Sequence, residues 1–128
     1  MMKTYSGGCL CGSIRFEAQS DPLKLKPHGC CCKNCQQHTG SLTAVWVEFA
    51  AQAVRWTGEG GEPTTYRSSH YSKRAFCPSC GSSVGAIDDE PVVALLLGCF
   101  DDNNQPEFAP EYTSFEDMKP DWWHPERR

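Results

Sequence analysis

The fold is decided by the stretch Cys30-Cys31-Cys32-Lys33-Asn34-Cys35, in which four cysteines occupy six positions. Two further cysteine pairs bracket this stretch, Cys9-Leu10-Cys11 near the start and Cys77-Pro78-Ser79-Cys80 beyond the middle. Thiolate sulfur is a soft ligand that binds zinc and similar metals. Three short clusters of thiols, separated by ordinary sequence, therefore predict a fold organised around bound metal.

The composition predicts a small protein that needs more than a hydrophobic core. The 128 residues fit one domain, which we place at residues 1–128. Hydrophobic residues make up only 39% and the mean hydropathy is -0.52, so structural metal is an expected source of stability. The net charge of -4 provides no basic surface for a phosphate backbone, so nucleic acid is not expected as a partner.

The sequence predicts a cytoplasmic protein without a membrane partner. Its first residues lack the apolar run of a signal peptide, and its longest apolar run, residues 91–97, is too short to span a bilayer. In the reducing cytoplasm, nine cysteines, an odd number, favour metal ligands or free thiols. Disulfides are the alternative.

The residue pattern predicts a mainly β fold of short antiparallel strands with little helix. Strands are expected at residues 9–18, 42–49, 53–57, 64–68, 83–87 and 92–100. In the first of these, a period of two would place Cys9 and Cys11 on the same face of a strand. The tripeptide Thr39-Gly40-Ser41 predicts a turn, and Ser114 with Asp117 predicts one capped helical turn near the C-terminus.

The two outer cysteine pairs predict one closed metal site. Cys77 and Cys80 can bind one ion within a tight turn, and Gly81 permits the left-handed backbone that points amide N–H groups at sulfur. This pair supplies half of a tetrahedron, and Cys9 with Cys11 is the available second half. Four thiolates leave no position for substrate, so this site is expected to stabilise folding by on the order of 10 kcal/mol. The alternative for the second pair is a core or redox role, although no βαβ pattern surrounds it.

The central cluster predicts a second, different site. Cys30, Cys32 and Cys35 have the spacing to converge on one ion, which would leave a fourth position for substrate. Such a site would carry one net negative charge, and Lys33 is the local candidate for a compensating cation. A thiol bound at the open position would lose its proton and become a nucleophile. The alternative is a closed structural site, with its fourth ligand drawn from Cys31, His28, His38 and Cys99.

Three motifs occur in order along nearly the whole chain: Gly8-Cys9-Leu10-Cys11-Gly12-Ser13-Ile14-Arg15-Phe16, the central cysteines with Thr39-Gly40-Ser41, and Arg74-Ala75-Phe76-Cys77-Pro78-Ser79-Cys80-Gly81. Together they resemble the motifs of the family of glutathione-dependent formaldehyde-activating enzymes and centromere protein V. The resemblance implies an all-β, tent-like fold that binds two zinc ions. It also implies that one ion is structural, held by Cys9, Cys11, Cys77 and Cys80, and that the other is catalytic, held by Cys30, Cys32 and Cys35.

The activity that the resemblance implies is that of a carbon–sulfur lyase. The reaction would be the condensation of glutathione with formaldehyde to S-(hydroxymethyl)glutathione, or its reverse, so a small thiol such as glutathione and an aldehyde are the implied partners. Where family members usually carry histidine this chain has Cys31, which we expect to be a free thiol. The alternatives are a non-catalytic zinc module that binds another protein and, as the last choice, thiol redox chemistry through Cys31.

Overall fold

The structure, a computed structural model, describes residues 1–124, so residues 125–128 of the predicted domain lie outside the described residues. Within this range the chain has one α-helix, α1 (Lys33–Thr39), and no helix there is long and apolar enough to cross a bilayer. The strands are β1 (Lys3–Gly8), β2 (Arg15–Ser20), β3 (His28–Cys30), β4 (Ala44–Ala50), β5 (Val54–Trp56), β6 (Thr64–Arg67), β7 (Ser72–Phe76), β8 (Ser83–Asp88), β9 (Val92–Leu96) and β10 (Thr113–Ser114). Short 3-10 helices lie at Pro22–Lys24, Ala51–Ala53, Leu97–Cys99, Pro106–Phe108 and Glu116–Met118. The predicted mainly β fold with little helix is confirmed.

The strands form two sheets. The small sheet has the order β1-β2-β5, and the large sheet has the order β10-β3-β4-β9-β8-β7-β6. Neighbouring strands are antiparallel, except that β10 runs parallel to β3. Because β4 pairs with both β3 and β9, the sheet brings the central cysteine stretch beside strands from the second half of the chain.

The hydrophobic core contains alternate residues from strands of both sheets. The small sheet and the large sheet contribute Tyr5, Phe16, Ala18, Val47, Phe49, Val93 and Leu95. Two rings from the C-terminal half, Phe100 and Phe108, complete an aromatic cluster; the Tyr5 and Phe108 ring centroids are 5.0 Å apart. Buried aromatic pairs contribute beyond the area that they bury. Through these contacts, the segment after β9 packs against β1.

The opposite face of the large sheet carries the central cysteines. Side chains alternate across a strand, so β4 directs Val47 into the core and Trp46 to the other face. Cys30 and Cys35 are buried on that second face, in a smaller cluster with Trp46, Ala44, Ala86 and Leu96. The large sheet therefore separates the main core from the central cysteine site.

The strand predicted for residues 9–18 begins only at Arg15, so this prediction is wrong in its first half. Residues 9–14 form the turn between β1 and β2, in which Gly12 has a φ of 84° and its N–H bonds to the Cys9 carbonyl oxygen at 3.2 Å. In a strand, residues two apart are separated by about 6.6 Å along the strand. The turn instead brings the Cys9 and Cys11 sulfurs to 3.7 Å, which a straight strand does not favour.

The remaining local predictions agree with the structure in part. The other predicted strands occur with shifted ends, and the last one ends at Leu96, where a 3-10 helix follows. The sequence pattern misses α1 and four strands that are short or mostly polar: β1, β3, β7 and β10. The predicted turn at residues 39–41 is the end of α1, where Gly40 has a φ of 75°. The predicted helical turn near the C-terminus is present at Glu116–Met118, but Phe115 precedes it and no side chain caps it.

Gly7→Ala is expected to destabilise the fold, because a Cβ at this position would overlap the Cys99 carbonyl oxygen and lie 2.8 Å from the Phe100 Cα atom. These are backbone atoms beside the bridge between Gly7 and Phe100, so they cannot move away without breaking it. We expect the free energy of unfolding to fall by about 2–3 kcal/mol, as for other overpacked sites. Urea denaturation of the zinc-loaded protein measures this change.

Gly98→Ala is the matched control, because apart from its chain neighbours no atom of residues 1–124 lies within 4 Å of the position its Cβ would take. We expect this variant to change the free energy of unfolding by no more than about 0.5 kcal/mol. Equal losses of stability in the two variants would show that the close approach at Gly7 is not what limits that site.

Candidate metal centres

The outer cysteine pairs meet at one point in the structure. The sulfur atoms of one group all lie within 4.8 Å of one another, and we call this group the quartet: Cys9, Cys11, Cys77 and Cys80. The Cys11 sulfur is 3.7 Å from that of Cys9 and 3.8 Å from that of Cys77. A tetrahedral zinc ion with Zn–S bonds of about 2.3 Å holds its sulfurs about 3.8 Å apart. The quartet therefore fits a tetrahedral thiolate site in both size and ligand type.

The quartet joins one hairpin loop from each sheet. Residues 9–11 lie in the loop between β1 and β2, and residues 77–80 lie in the loop between β7 and β8. A metal ion bound here would cross-link the two sheets and close a long loop of chain, which restricts the unfolded state.

The second of these loops is shaped to present sulfur to a metal. The Cys77 sulfur accepts the backbone N–H groups of Ser79 and Cys80, each at 3.4 Å. Hydrogen bonds from backbone N–H groups favour the thiolate over the thiol. Gly81 follows with a φ of 81°, as Gly12 follows the first pair with a φ of 84°. Glycine adopts this left-handed backbone without steric cost, so both loops can turn sharply behind their cysteines.

Ser82 connects the two loops of the quartet. Its Oγ accepts the backbone N–H of Leu10 at 3.0 Å and lies 3.1 Å from the Cys80 sulfur. Hydrogen bonds from Ser82, and then from the Cys11 backbone, lower the pKa of Cys80 to about 5. Cys80 is therefore a thiolate at neutral pH, which is the form that binds metal.

The central cysteines form a second group, which we call the trio: Cys30, Cys32 and Cys35, whose sulfur atoms lie within 4.8 Å of one another. Among residues 1–124, no further cysteine, histidine or carboxylate joins them at that separation. None of the predicted alternatives for a fourth ligand is therefore in place: Cys31, His28, His38 and Cys99. Two members of the trio are buried and Cys32 is half-buried, so the trio is most accessible on the side of Cys32. The metal-binding and catalytic roles of these cysteines stay predictions at this point.

Two elements of secondary structure position the trio. Cys30 ends β3, where it pairs with Ala44 of β4. Cys32 is the N-cap residue of α1, and its sulfur accepts the backbone N–H of Cys35 at 3.3 Å. A cap side chain that accepts an N–H of the first helical turn stabilises the start of a helix. The same sulfur therefore begins α1 and belongs to the trio.

Two further cysteines lie outside both groups. Cys31 is fully buried, and its sulfur is 3.3 Å from Oγ1 of Thr43, which also accepts the Trp123 indole N–H at 2.7 Å. Cys99 donates to the Ser83 carbonyl oxygen at 3.3 Å, and burial raises the pKa of its thiol to about 11. Cys99 therefore packs as a neutral thiol.

The cation beside the trio is not the predicted Lys33. Lys33 is exposed and forms no ion pair among the described residues. Arg74 of β7 lies there instead, with Nη1 3.5 Å from the Cys35 sulfur and 3.4 Å from Nδ1 of His38. Arg74 and Cys35 are 39 positions apart, and only the strand order of the large sheet brings them together. The one signal in the sequence is that Arg74 opens the third cysteine motif.

The environment of the trio makes its thiols unequal. The hydrogen bond with Cys30, and then the Arg74 guanidinium, lower the pKa of Cys35 against the opposing effect of burial. The same interaction with Cys35, together with burial, raises the pKa of Cys30. The first thiolate of the trio therefore forms at Cys35, beside the cation.

A cleft of about 1060 Å³ is lined by Cys9 of the quartet and by no cysteine of the trio. Its walls include Ala44 and Leu96, which also pack around Cys30 and Cys35 on the second face of the large sheet. Its polar lining includes Arg15, Thr43, Ser83 and Asp101. Small-molecule sites commonly have volumes of about 300–1,000 Å³. The cleft is therefore large enough for a molecule the size of a tripeptide.

Comparisons with known proteins relate the chain to one family. Residues 4–118 match a family model described as glutathione-dependent formaldehyde-activating enzyme. An uncharacterized lyase of Schizosaccharomyces pombe is 30% identical over 84 residues, which cover 65% of this chain and 57% of that relative's length. A crystal structure of a Rhodobacter sphaeroides protein is similar with a TM-score of 0.65 and 18% identity, covering 85% of this chain and 99% of that one. The last similarity shows a shared fold.

Cys77→Ser is expected to abolish metal binding at the quartet and to unfold the protein. A structural zinc site contributes on the order of 10 kcal/mol, which is comparable to the whole stability of a typical domain. The measurements are zinc content per chain and thermal unfolding followed by circular dichroism.

Cys32→Ser is the comparison variant in the trio. Serine is itself a good N-cap residue, so it can replace the hydrogen bond that Cys32 accepts at the start of α1. We expect this variant to lose one zinc ion and to remain folded. If Cys32→Ser unfolds as completely as Cys77→Ser, the division into a stabilising quartet and a separate trio is wrong.

Proposed function

The chain belongs to the glutathione-dependent formaldehyde-activating enzyme family, and on that premise we propose that it is a zinc-dependent carbon–sulfur lyase acting on an adduct of a thiol and an aldehyde. The proposed adduct is S-(hydroxymethyl)glutathione, formed from glutathione and formaldehyde. The observation that carries the proposal is the trio, whose three sulfurs converge within 4.8 Å of one another with no fourth ligand among residues 1–124. The family and the similarity to a protein named as a lyase support the reaction class.

Both cysteine groups offer the ligands that zinc takes in proteins. We propose a structural ion at the quartet, where four thiolates would fill the coordination sphere. We propose a catalytic ion at the trio, where a fourth position would be left for substrate. When bound at the trio, zinc would lower the pKa of a substrate thiol and polarise an aldehyde oxygen.

The proposed reaction balances without an oxidant or a reductant. The thiol loses its proton, its sulfur attacks the aldehyde carbon to form a C–S bond, and the C=O electron pair moves to oxygen, which takes a proton. The reverse reaction breaks the C–S bond and returns thiol and aldehyde. Trp46 and Leu96 cover the inner side of the trio and exclude water there. A substrate would therefore approach from the side of Cys32.

The cleft suits a charged peptide thiol. Arg15 and Asp101 both line it, and Nη1 of Arg15 donates to Oδ1 of Asp101 at 2.9 Å. Glutathione carries carboxylates and an ammonium group, and these are the groups that would exchange with this ion pair on binding. We further propose that residues 1–128 form one domain that works in the cytoplasm, where reducing conditions keep the cysteines as thiols.

The zinc-loaded protein should accelerate the glutathione-dependent loss of free formaldehyde above the spontaneous rate. Cys32→Ala should reduce this acceleration by more than about 100-fold, since even residues that only support a metal ligand contribute about 10- to 100-fold. Cys31→Ala is the matched control, because Cys31 is adjacent in sequence but lies outside the trio. It should retain most of the activity. The measurement is the concentration of free formaldehyde over time at a fixed glutathione concentration.

A rate equal to the spontaneous one, or a rate that Cys32→Ala leaves unchanged, would rule out catalysis at the trio. Two tightly bound zinc ions without turnover would then favour the alternative of a zinc-stabilised module that binds another protein.

A further inference from the structure

Arg74 lies against the trio without a carboxylate to balance its charge. Its Nη1 is 3.5 Å from the Cys35 sulfur, and its guanidinium carbon is 5.3 Å from the centroid of the Trp46 ring. Its Nε is buried and has no hydrogen-bond partner among the described residues, and no aspartate or glutamate there forms an ion pair with it. Arg74 is half-buried, and holding a cation partly out of water without a countercharge is unfavourable. The thiolates of the trio are the negative groups that can supply one.

His38 helps to hold the guanidinium in this position. The Arg74 Nη1 donates to Nδ1 of His38 at 3.4 Å, and because arginine has no acceptor, the imidazole must carry its proton on Nε2. The His38 ring also stacks on Trp46, with centroids 6.3 Å apart and ring planes 22° from parallel. His38, Trp46 and Cys35 therefore contact Arg74 from three sides.

The register of the large sheet explains how an arginine reaches this site. Arg74 pairs with Ala86 of β8, and Ala86 pairs with Ala94 of β9, so these residues lie in one row across the same face. Their methyl side chains leave room for the long arginine side chain to lie over the sheet toward Trp46. Arginine suits this place because its planar guanidinium can stack on an aromatic ring while it donates at its edge.

We propose that Arg74 is a positioning residue for the trio, which balances the charge of the metal–thiolate group and, through Cys35, sets how tightly the metal is held. This role presupposes, as the proposed function does, that the trio binds a divalent metal. Such an ion with three thiolates carries one net negative charge, which the guanidinium cancels. A substrate thiolate that enters the site then meets a neutral group instead of an anionic one.

The test compares the two metal sites within the same chain. Zinc-loaded Arg74→Gln is titrated with a chromophoric chelator, and the zinc affinity of each site is determined. We expect the affinity of the trio to fall about 10- to 100-fold, the range for groups that support a metal ligand, while that of the quartet is unchanged. Arg74→Lys keeps the charge and should recover part of the loss, which a purely steric role for Arg74 would not produce.

Arg55→Gln is the matched control, because it removes an exposed arginine that pairs with Glu17 on the small sheet at 3.5 Å. Both zinc affinities should stay at their wild-type values in this variant. His38→Phe keeps a ring against Trp46 but removes the Nδ1 acceptor, and it should weaken the trio alone, by less than Arg74→Gln does. If Arg74→Gln does not fold, His38→Phe tests the role of Arg74 in its place.

Three results would overturn the role of Arg74: an unchanged trio affinity in the folded variants, equal weakening at both sites, or no recovery in Arg74→Lys. A wild-type protein that binds only one zinc ion would refute the proposed function together with this role. A wild-type protein that binds two ions, with variants that behave like it, would refute the role of Arg74 alone.

Discussion

The convergence of the quartet sulfurs is the constraint on which the rest of the structure depends. Its members come from one hairpin loop of each sheet and lie within 4.8 Å of one another. Four thiolates at this distance would repel one another, and a cation among them removes that repulsion. A tetrahedral metal ion meets that need, and in doing so it would lock the small sheet against the large one. The aromatic core packs between the two sheets.

The large sheet gives two groups of identical ligands different surroundings. The quartet lies in loops, where backbone N–H groups and Ser82 supply its hydrogen bonds. The trio lies against the second face of the sheet, where Trp46 and Leu96 shield two of its sulfurs and Cys32 stays accessible. Shielding on one side and access on the other are the conditions for binding a substrate at a metal. The same amino acid can therefore serve stability at one site and chemistry at the other.

The cation beside the trio comes from a part of the chain that is distant in sequence. A cation that merely neighbours the cysteines in the chain, such as Lys33, can turn its flexible side chain into water. Arg74 is half-buried and contacts Trp46 and His38, which restrict its side chain. A fixed cation keeps its distance to Cys35. The fold therefore determines how strongly the guanidinium stabilises the thiolates of the trio.

The sequence by itself determined the ligand groups and the class of fold. Cysteines one to three positions apart must lie close in space whatever the rest of the chain does, and short alternating runs between glycines and prolines form strands. The tertiary structure decided the rest. It turned residues 9–14 into a loop, left the trio without a fourth ligand among residues 1–124, and placed Arg74 and His38 beside Cys35. These features depend on strand order and register, which set contacts between residues far apart in the chain. The spacing of residues along the sequence does not reveal such contacts.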